Sequence, residues 1–234
     1  DSVKSRGLGD VYKRQTVSYA IPLLVLLGMA WLIDFAEAPI PINLLSYAPF
    51  LGFFGFNFYS WLTILDSPEF MNGLPLRVPQ LIRAKVVVYF LATSWISLIF
   101  IVLMAWRLDE WASLPTSIIV MFANSIYIVA LTAYLMGLRP NQAIFDASIM
   151  VWFWIGTVLP LLGLFLLSFT QGDVSLYGNW WERASQDGLA ATAAMYDESL
   201  VQQGYMGMII ISVVLLMAST LLWKLMDRRW GDSH

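Results

Sequence analysis

Six apolar runs constrain this chain more than any other feature, because each is close to the length of about 20 residues that a helix needs to cross a bilayer. The runs are continuous and lack the alternating polarity of the strands in a membrane barrel. A helix satisfies its own backbone hydrogen bonds inside lipid, so helices are the expected form. The fold class is therefore predicted to be an all-α integral membrane protein with six transmembrane helices, at 17–33, 43–65, 86–106, 114–138, 145–169 and 205–226.

The composition agrees with a membrane class. Only 12% of the 234 residues are charged, whereas a soluble domain carries about 25%. The net charge of −3 gives no reason to expect a nucleic-acid partner. Cysteine is absent, which excludes disulfides and thiolate metal sites, and no cofactor or metal is predicted.

The first fifteen residues differ from the rest of the chain. The segment 1–15, DSVKSRGLGDVYKRQ, resembles a translated sequencing-adapter read-through and has no apolar period. We set it aside from fold reasoning and expect a fragment of a longer protein, with a transmembrane domain over 16–234. The alternative is a genuine basic arm in the cytosol.

Lysine and arginine are distributed unevenly between the two sets of loops. Because cytoplasmic loops are enriched in these residues, both ends of the chain are predicted to be cytoplasmic. The opposite loops hold only Arg107 and Arg183. The richer set, outside the suspect arm, consists of Arg77, Arg83, Lys85, Arg139, Lys224, Arg228 and Arg229.

Two connecting segments stand out. The stretch 65–85, LDSPEFMNGLPLRVPQLIRAK, is a long polar interruption with a basic end, and we interpret it as a cytoplasmic loop that meets a partner protein. Between spans five and six, 180–203 is rich in helix formers with a patchy apolar side. One or two short helices, broken near Gly188, are predicted there on the outer leaflet, or equally as a solvated cap.

Motifs for several enzyme classes are missing. The chain has no G-x-x-x-x-G-K-S/T, no G-x-S-x-G and no H-E-x-x-H, and its one histidine is the terminal His234. We therefore predict that it is not an enzyme. No charged residue lies in the middle of a predicted span, which argues against ion-coupled transport and indicates an energy source outside the membrane.

A few polar and small residues do fall inside the predicted spans. Asn57, Asn124 and Thr132 are candidates for lining a substrate path. The alternative, which we favour, is that they bond neighbouring helices, at about 0.6 kcal/mol each. Gly52 and Gly55 are expected to allow close helix approach in the second span.

The pattern resembles the membrane subunit of a type-2 ABC transporter, its permease. Three features carry the resemblance, which covers Thr16–Trp230. They are six spans with both ends cytoplasmic, outer helices between spans five and six, and a loop between spans two and three with an acidic start and a basic end. In that loop the matching features are Glu69, the step Leu74-Pro75, Arg77, and I-R-A-K at 82–85. The family's usual amphipathic helix before span one is replaced here by the suspect arm.

The resemblance implies a permease, expected to be an exporter, in the cytoplasmic membrane of a prokaryote. A separate ATP-binding subunit would dock under the 65–85 loop, and a second permease half would complete the path, with membrane lipid as the surroundings. The alternative is a non-transporting membrane scaffold or assembly protein. The residues implied in ATPase docking are Glu69, Leu74, Pro75, Arg77, Leu81, Arg83 and Lys85. For Arg77, Arg83 and Lys85, anchoring at the lipid headgroups is an equal alternative, and the same residues can do both.

Overall fold

The computed structural model describes residues 43–52, 77–137, 146–170 and 198–231, together with Leu24 and Gly28. These parts of the chain are helical and contain no strand. A helical segment covers 44–52. Four longer helices follow: α1 (Val78–Leu108), α2 (Leu114–Met136), α3 (Ala147–Thr170) and α4 (Glu198–Trp230), with a 3-10 turn at Trp111–Ser113 between the first two.

Within the described residues, three helical stretches are long and apolar enough to cross a membrane: Trp111–Met136, Ala147–Phe165 and Tyr205–Trp230. They coincide with the fourth, fifth and sixth predicted spans. The third span corresponds to α1, whose apolar part, Ser94–Leu108, is shorter. The all-helical class is thus confirmed for the described residues. The first span, apart from Leu24 and Gly28, and most of the second lie outside them, so the count of six and the orientation stay predictions.

Helix α2 occupies the centre of the bundle. About 67% of the apolar part of α2 is buried inside the protein, compared with 17% for α3 and 22% for α4. It packs most extensively on α4, and also contacts α1 and α3. The outer helices expose large apolar side chains, including Leu91, Trp106, Leu159 and Met217, each more than half exposed. Such faces suit a hydrocarbon environment, in which apolar surface needs no cover.

Prolines lie at the starts of α1 and α2, and residues with a positive φ angle lie at their ends. Pro79 and Pro115 lie in the first turns of α1 and α2, where a missing N–H costs nothing. Asp109 closes α1 in the left-handed conformation, at φ 55°. Gly137 closes α2 at φ 56°, a region that favours glycine.

Two helices extend beyond their apolar runs. Helix α1 begins at Val78, whereas the predicted span begins at 86, so the basic end of the predicted 65–85 loop is helical and continuous with the span. Helix α4 begins at Glu198 instead of 205, inside the region predicted to hold short outer helices. An apolar run indicates the part of a helix that can lie in a bilayer. The helical hydrogen bonds continue through polar residues until a capping or helix-breaking residue ends the helix. The rest of that outer region lies outside the described residues.

Candidate functional site

The start of α1 carries the described part of the predicted docking surface. Arg77 is the N-cap residue, in an extended conformation, and its N–H donates to Gln80 Oε1 at 3.1 Å. Its side chain is exposed, and Leu81 is half-buried. Glu69, Leu74 and Pro75 lie outside the described residues. Of the predicted docking cations, Arg77 is therefore the one that the structure presents at the tip of a helix.

The next turns of α1 are fixed to the bundle. Ile82 is fully buried and Val86 nearly so, in a cluster with Val129 and Ala133 of α2 and Met226 of α4. Burial of a side chain of this size contributes about 1.5–3 kcal/mol in water, and in a membrane the gain comes from close packing instead. The described part of the predicted docking surface therefore lies on a helix that packs against two others.

Arg83 has a partner within the chain. Its guanidinium forms an ion pair with Asp227 of α4, with the two side chains 57% and 41% exposed. The sequence predicted that Arg83 forms an ion pair with an ATPase, and that role stays a prediction; in the structure Arg83 pairs with a residue 144 positions later in its own chain. Exposed pairs contribute at most about 1 kcal/mol, so this contact locates α1 on α4 without locking it there.

Lys85 lies one helical turn after Leu81 and is half-buried. Burial lowers the pKa of its ammonium group to about 8, because a charged amine loses water when it is enclosed. Lys85 is therefore less available as a docking cation than Arg77.

The last turn of α4 is fixed to the end of α2. Trp230 Nε1 donates to the carbonyl oxygen of Tyr134 at 3.2 Å. The indole ring lies so close to Gly137 that a Cβ there would come within 2.8 Å of it. The guanidinium of Arg229 stands 5.2 Å from the centre of the Tyr134 ring and 5.4 Å from that of Trp230. Sequence reasoning missed this junction, although a Gly after an apolar run and a Trp beside two arginines were available as signals.

The opposite end of the bundle is joined through Glu110, which sequence reasoning also missed. One carboxylate oxygen of Glu110 accepts the N–H of Leu44 at 2.8 Å, and Ser113 Oγ lies 3.4 Å from the same oxygen. Burial raises the pKa of this carboxyl group, while the hydrogen bonds from Leu44 and Ser113 lower it by less. The signal was an acidic residue directly after an apolar run, beside a helix start.

A second set of contacts binds the same helix start to α3. Asn43 Nδ2 donates to the carbonyl oxygen of Ser168 at 2.6 Å, and the hydroxyls of Ser46 and Ser168 are 2.9 Å apart. Asn43 Oδ1 accepts the N–H of Ser46 at 2.9 Å, as an N-cap does. The first turn of the 44–52 segment is therefore held from two sides.

Two of the predicted path-lining residues, Asn124 and Thr132, bond to backbone. Asn124 is buried, and its Nδ2 donates to the carbonyl oxygen of Pro49 at 2.6 Å. Thr132 is fully buried and donates to Ile128 in its own helix at 2.7 Å. The contact of Asn124 favours the interpretation that it bonds a neighbouring helix. The bond of Thr132 stays within α2 and does not test that interpretation. Asn57 lies outside the described residues. A small crevice beside Asn124 is lined by Leu51, Phe90, Ser94, Ser97, Met121, Phe122 and Ser125.

Comparison with protein-family models, with curated proteins and with solved structures finds no match to this chain. Functional proposals therefore depend on the residues themselves.

Proposed function

We propose that this chain is the membrane-spanning permease subunit of an ATP-driven ABC transporter, of the type-2 class and acting as an exporter. Its basic end, which carries Arg77, Arg83 and Arg229, faces the cytoplasm, as the excess of cations there favours. A separate ATP-binding subunit docks at that end. A second permease half completes the path, because one such unit encloses only part of it.

One observation carries this proposal: α1 is a single helix from Val78 to Leu108, without a break between the predicted docking surface and the membrane. Its 31 residues make it about 46 Å long, at about 1.5 Å of rise per residue. A continuous helix transmits a displacement of one end to the other, whereas a flexible loop absorbs it. A push on Arg77 would therefore reach the far end of the bundle.

The contacts at that far end connect α1 to the second span. Helix α1 ends at Leu108, and Glu110, two residues later, binds the N–H of Leu44. Movement of α1 would therefore act directly on the first turn of the 44–52 segment. This linkage supports a coupling in which ATP-driven motion at the basic end tilts α1 and, through the contact of Glu110 with Leu44, turns the start of the 44–52 segment.

The test uses the purified chain together with the ATP-binding protein encoded beside it, identified by G-x-x-x-x-G-K-S/T. Arg77→Ala should weaken binding of that protein about fivefold, the loss of about 1 kcal/mol from one exposed ion pair. Arg107→Ala is the matched control, because Arg107 is also exposed and lies in the last turn of the same helix. Titration of binding, together with ATP turnover in liposomes, gives the readout. Equal binding and turnover for Arg77→Ala and the unmodified chain would rule out docking at Arg77.

The alternative, a membrane scaffold without transport, is favoured by the same interior contacts that bind Asn124 and Thr132 to backbone. A scaffold needs a packed interior and no path. Absence of any ATP-binding partner in a pull-down from native membranes, with bilayer insertion intact, would favour this alternative.

A further inference from the structure

We propose that the junction of α2 and α4 binds the phosphate of an anionic phospholipid, with Arg229 as the principal ligand. This site goes beyond the proposed transport function and does not depend on it. It requires only that the last turn of α4 reaches the headgroup region. That turn is the end of an apolar stretch long enough to cross a bilayer.

The guanidinium of Arg229 is held in place by aromatic rings. It contacts the faces of Tyr134 and Trp230, and the Trp230 ring is itself fixed by its hydrogen bond to the Tyr134 carbonyl and by its seat on Gly137. Cation–π contacts use the flat face of a guanidinium and leave its N–H edge available. In the described part of the chain no acceptor is hydrogen-bonded to Arg229, whose side chain is exposed. The result is an oriented fork of donors of the kind that binds phosphate oxygens.

Neighbouring cations increase the attraction for an anion. Lys224 and Arg228 are both exposed and lie four residues apart on α4, so their side chains share one face. Like charges at this spacing repel each other, and an anion bound between them relieves the repulsion. Arg228 is adjacent in sequence to Arg229, which brings three cations to the last two turns of the helix.

The acidic residues at this end are already engaged, among those the structure describes. Asp227 is paired with Arg83. Asp146 Oδ1 accepts the N–H of Ser148 at 3.0 Å, at the start of α3. Neither carboxylate contacts Arg229, so neither of these two described acidic residues cancels the charge of its guanidinium.

The surroundings favour a lipid as the source of the phosphate. Trp223 and Trp230 lie two turns apart on α4, at the end of the apolar stretch, where aromatic side chains mark the membrane interface. The exposed face of the same helix, including Met217 and Leu221, is apolar and offers a surface for acyl chains. A free phosphate would use the cations but would gain nothing from that face.

The test measures binding of phosphatidylglycerol to the purified full chain, by native mass spectrometry and by the thermal shift relative to phosphatidylcholine. We expect a bound phosphatidylglycerol that raises Tm, and about tenfold weaker binding in Arg229→Gln. Arg229→Lys keeps the charge but loses the planar fork, so it should bind with intermediate affinity. Arg77→Gln removes an equal charge at the same end and should change the affinity less than about twofold.

Three results would overturn the proposal. The first is equal binding of the two lipids. The second is an equal loss in Arg229→Gln and Arg77→Gln, which would indicate a diffuse field and no site. The third is a full thermal shift with soluble glycerol phosphate alone, which would identify a free phosphate as the ligand. If Arg229→Gln does not fold, Arg229→Lys is compared with the unmodified chain instead. Because lysine keeps the charge, weaker binding of phosphatidylglycerol by that variant reports the loss of the planar guanidinium.

Discussion

Replacement of Gly52 by alanine should force the 44–52 segment away from α2. A Cβ at this position would lie 2.9 Å from the backbone nitrogen of Ser125 and 3.0 Å from both Cβ and Nδ2 of Asn124. The nitrogen of Ser125 belongs to the ladder of α2 and cannot rotate aside as a side-chain end would. The clash therefore acts on the distance between the two helices.

The magnitude follows from three contributions. Overpacking of a closely fitted contact costs about 1–3 kcal/mol. Separation of the helices also weakens the hydrogen bond from Asn124 to the Pro49 carbonyl, and such bonds in membrane proteins contribute about 0.6 and at most about 1.7 kcal/mol. Alanine in place of glycine in a helix returns about 0.5–1 kcal/mol. The expected net loss in the free energy of unfolding is roughly 1–4 kcal/mol.

The assay is reversible unfolding by SDS in mixed micelles, followed by tryptophan fluorescence. Gly163→Ala is the matched control: Gly163 also lies in a helix that is long and apolar enough to cross a membrane, and no atom from elsewhere in the described part of the chain lies within 4 Å of its Cβ position. This control should be stabilised by about 0.5–1 kcal/mol from helix propensity alone. If both variants change stability by the same amount, the close approach of Gly52 to Ser125 is refuted.

Three further predictions concern the two ends of the bundle. Gly137→Ala should destabilise by about 1–3 kcal/mol in the same unfolding assay, because alanine is strained at φ 56° and meets the Trp230 ring; an unchanged midpoint would contradict this. Burial raises the pKa of Glu110 in the folded state, so the free energy of unfolding should fall as pH rises from the unfolded pKa of about 4.3 through the folded value. Glu110→Gln should remove this dependence on pH, which a pH series of unfolding midpoints measures. A double-mutant cycle on Arg83 and Asp227 should give a coupling of about 0.2–1 kcal/mol that decreases in high salt, and a coupling insensitive to salt would contradict surface exposure of the pair.

The helices of this protein are predictable from its sequence because apolar length is a local property. The runs at 114–138 and 145–169 correspond closely to α2 and α3. The start of α1 was misplaced by eight residues, since hydropathy falls where the bilayer segment ends, whereas Pro79 allows the helix itself to begin earlier. The close approach at Gly52 was also predicted, and the described contacts with Ser125 confirm it.

The contacts between helices were not predictable in the same way. Glu110 and Leu44 are 66 residues apart, and Trp230 and Tyr134 are 96 apart, so no local pattern relates them. A single sequence shows that Glu110 is acidic and near a helix end, but not which backbone N–H it binds. Arg83 was assigned to an external partner because its pairing with Asp227 depends on how α1 crosses α4.

The polar contacts at the two ends of α1 differ in strength, while the packing of Ile82 and Val86 on α2 and α4 holds the turns around Arg83. At the basic end the Arg83–Asp227 pair is exposed and contributes at most about 1 kcal/mol. At the other end the charged hydrogen bond from Leu44 to Glu110 is largely shielded from water, and bonds of this type contribute about 1.5–3 kcal/mol. We therefore predict that a load on the basic end breaks the Arg83–Asp227 pair before it breaks the contact of Glu110 with Leu44. Distances between spin labels should change more for a pair at Gln80 and Arg228 than for a pair at Asp109 and Met206, and the reverse order would refute this prediction.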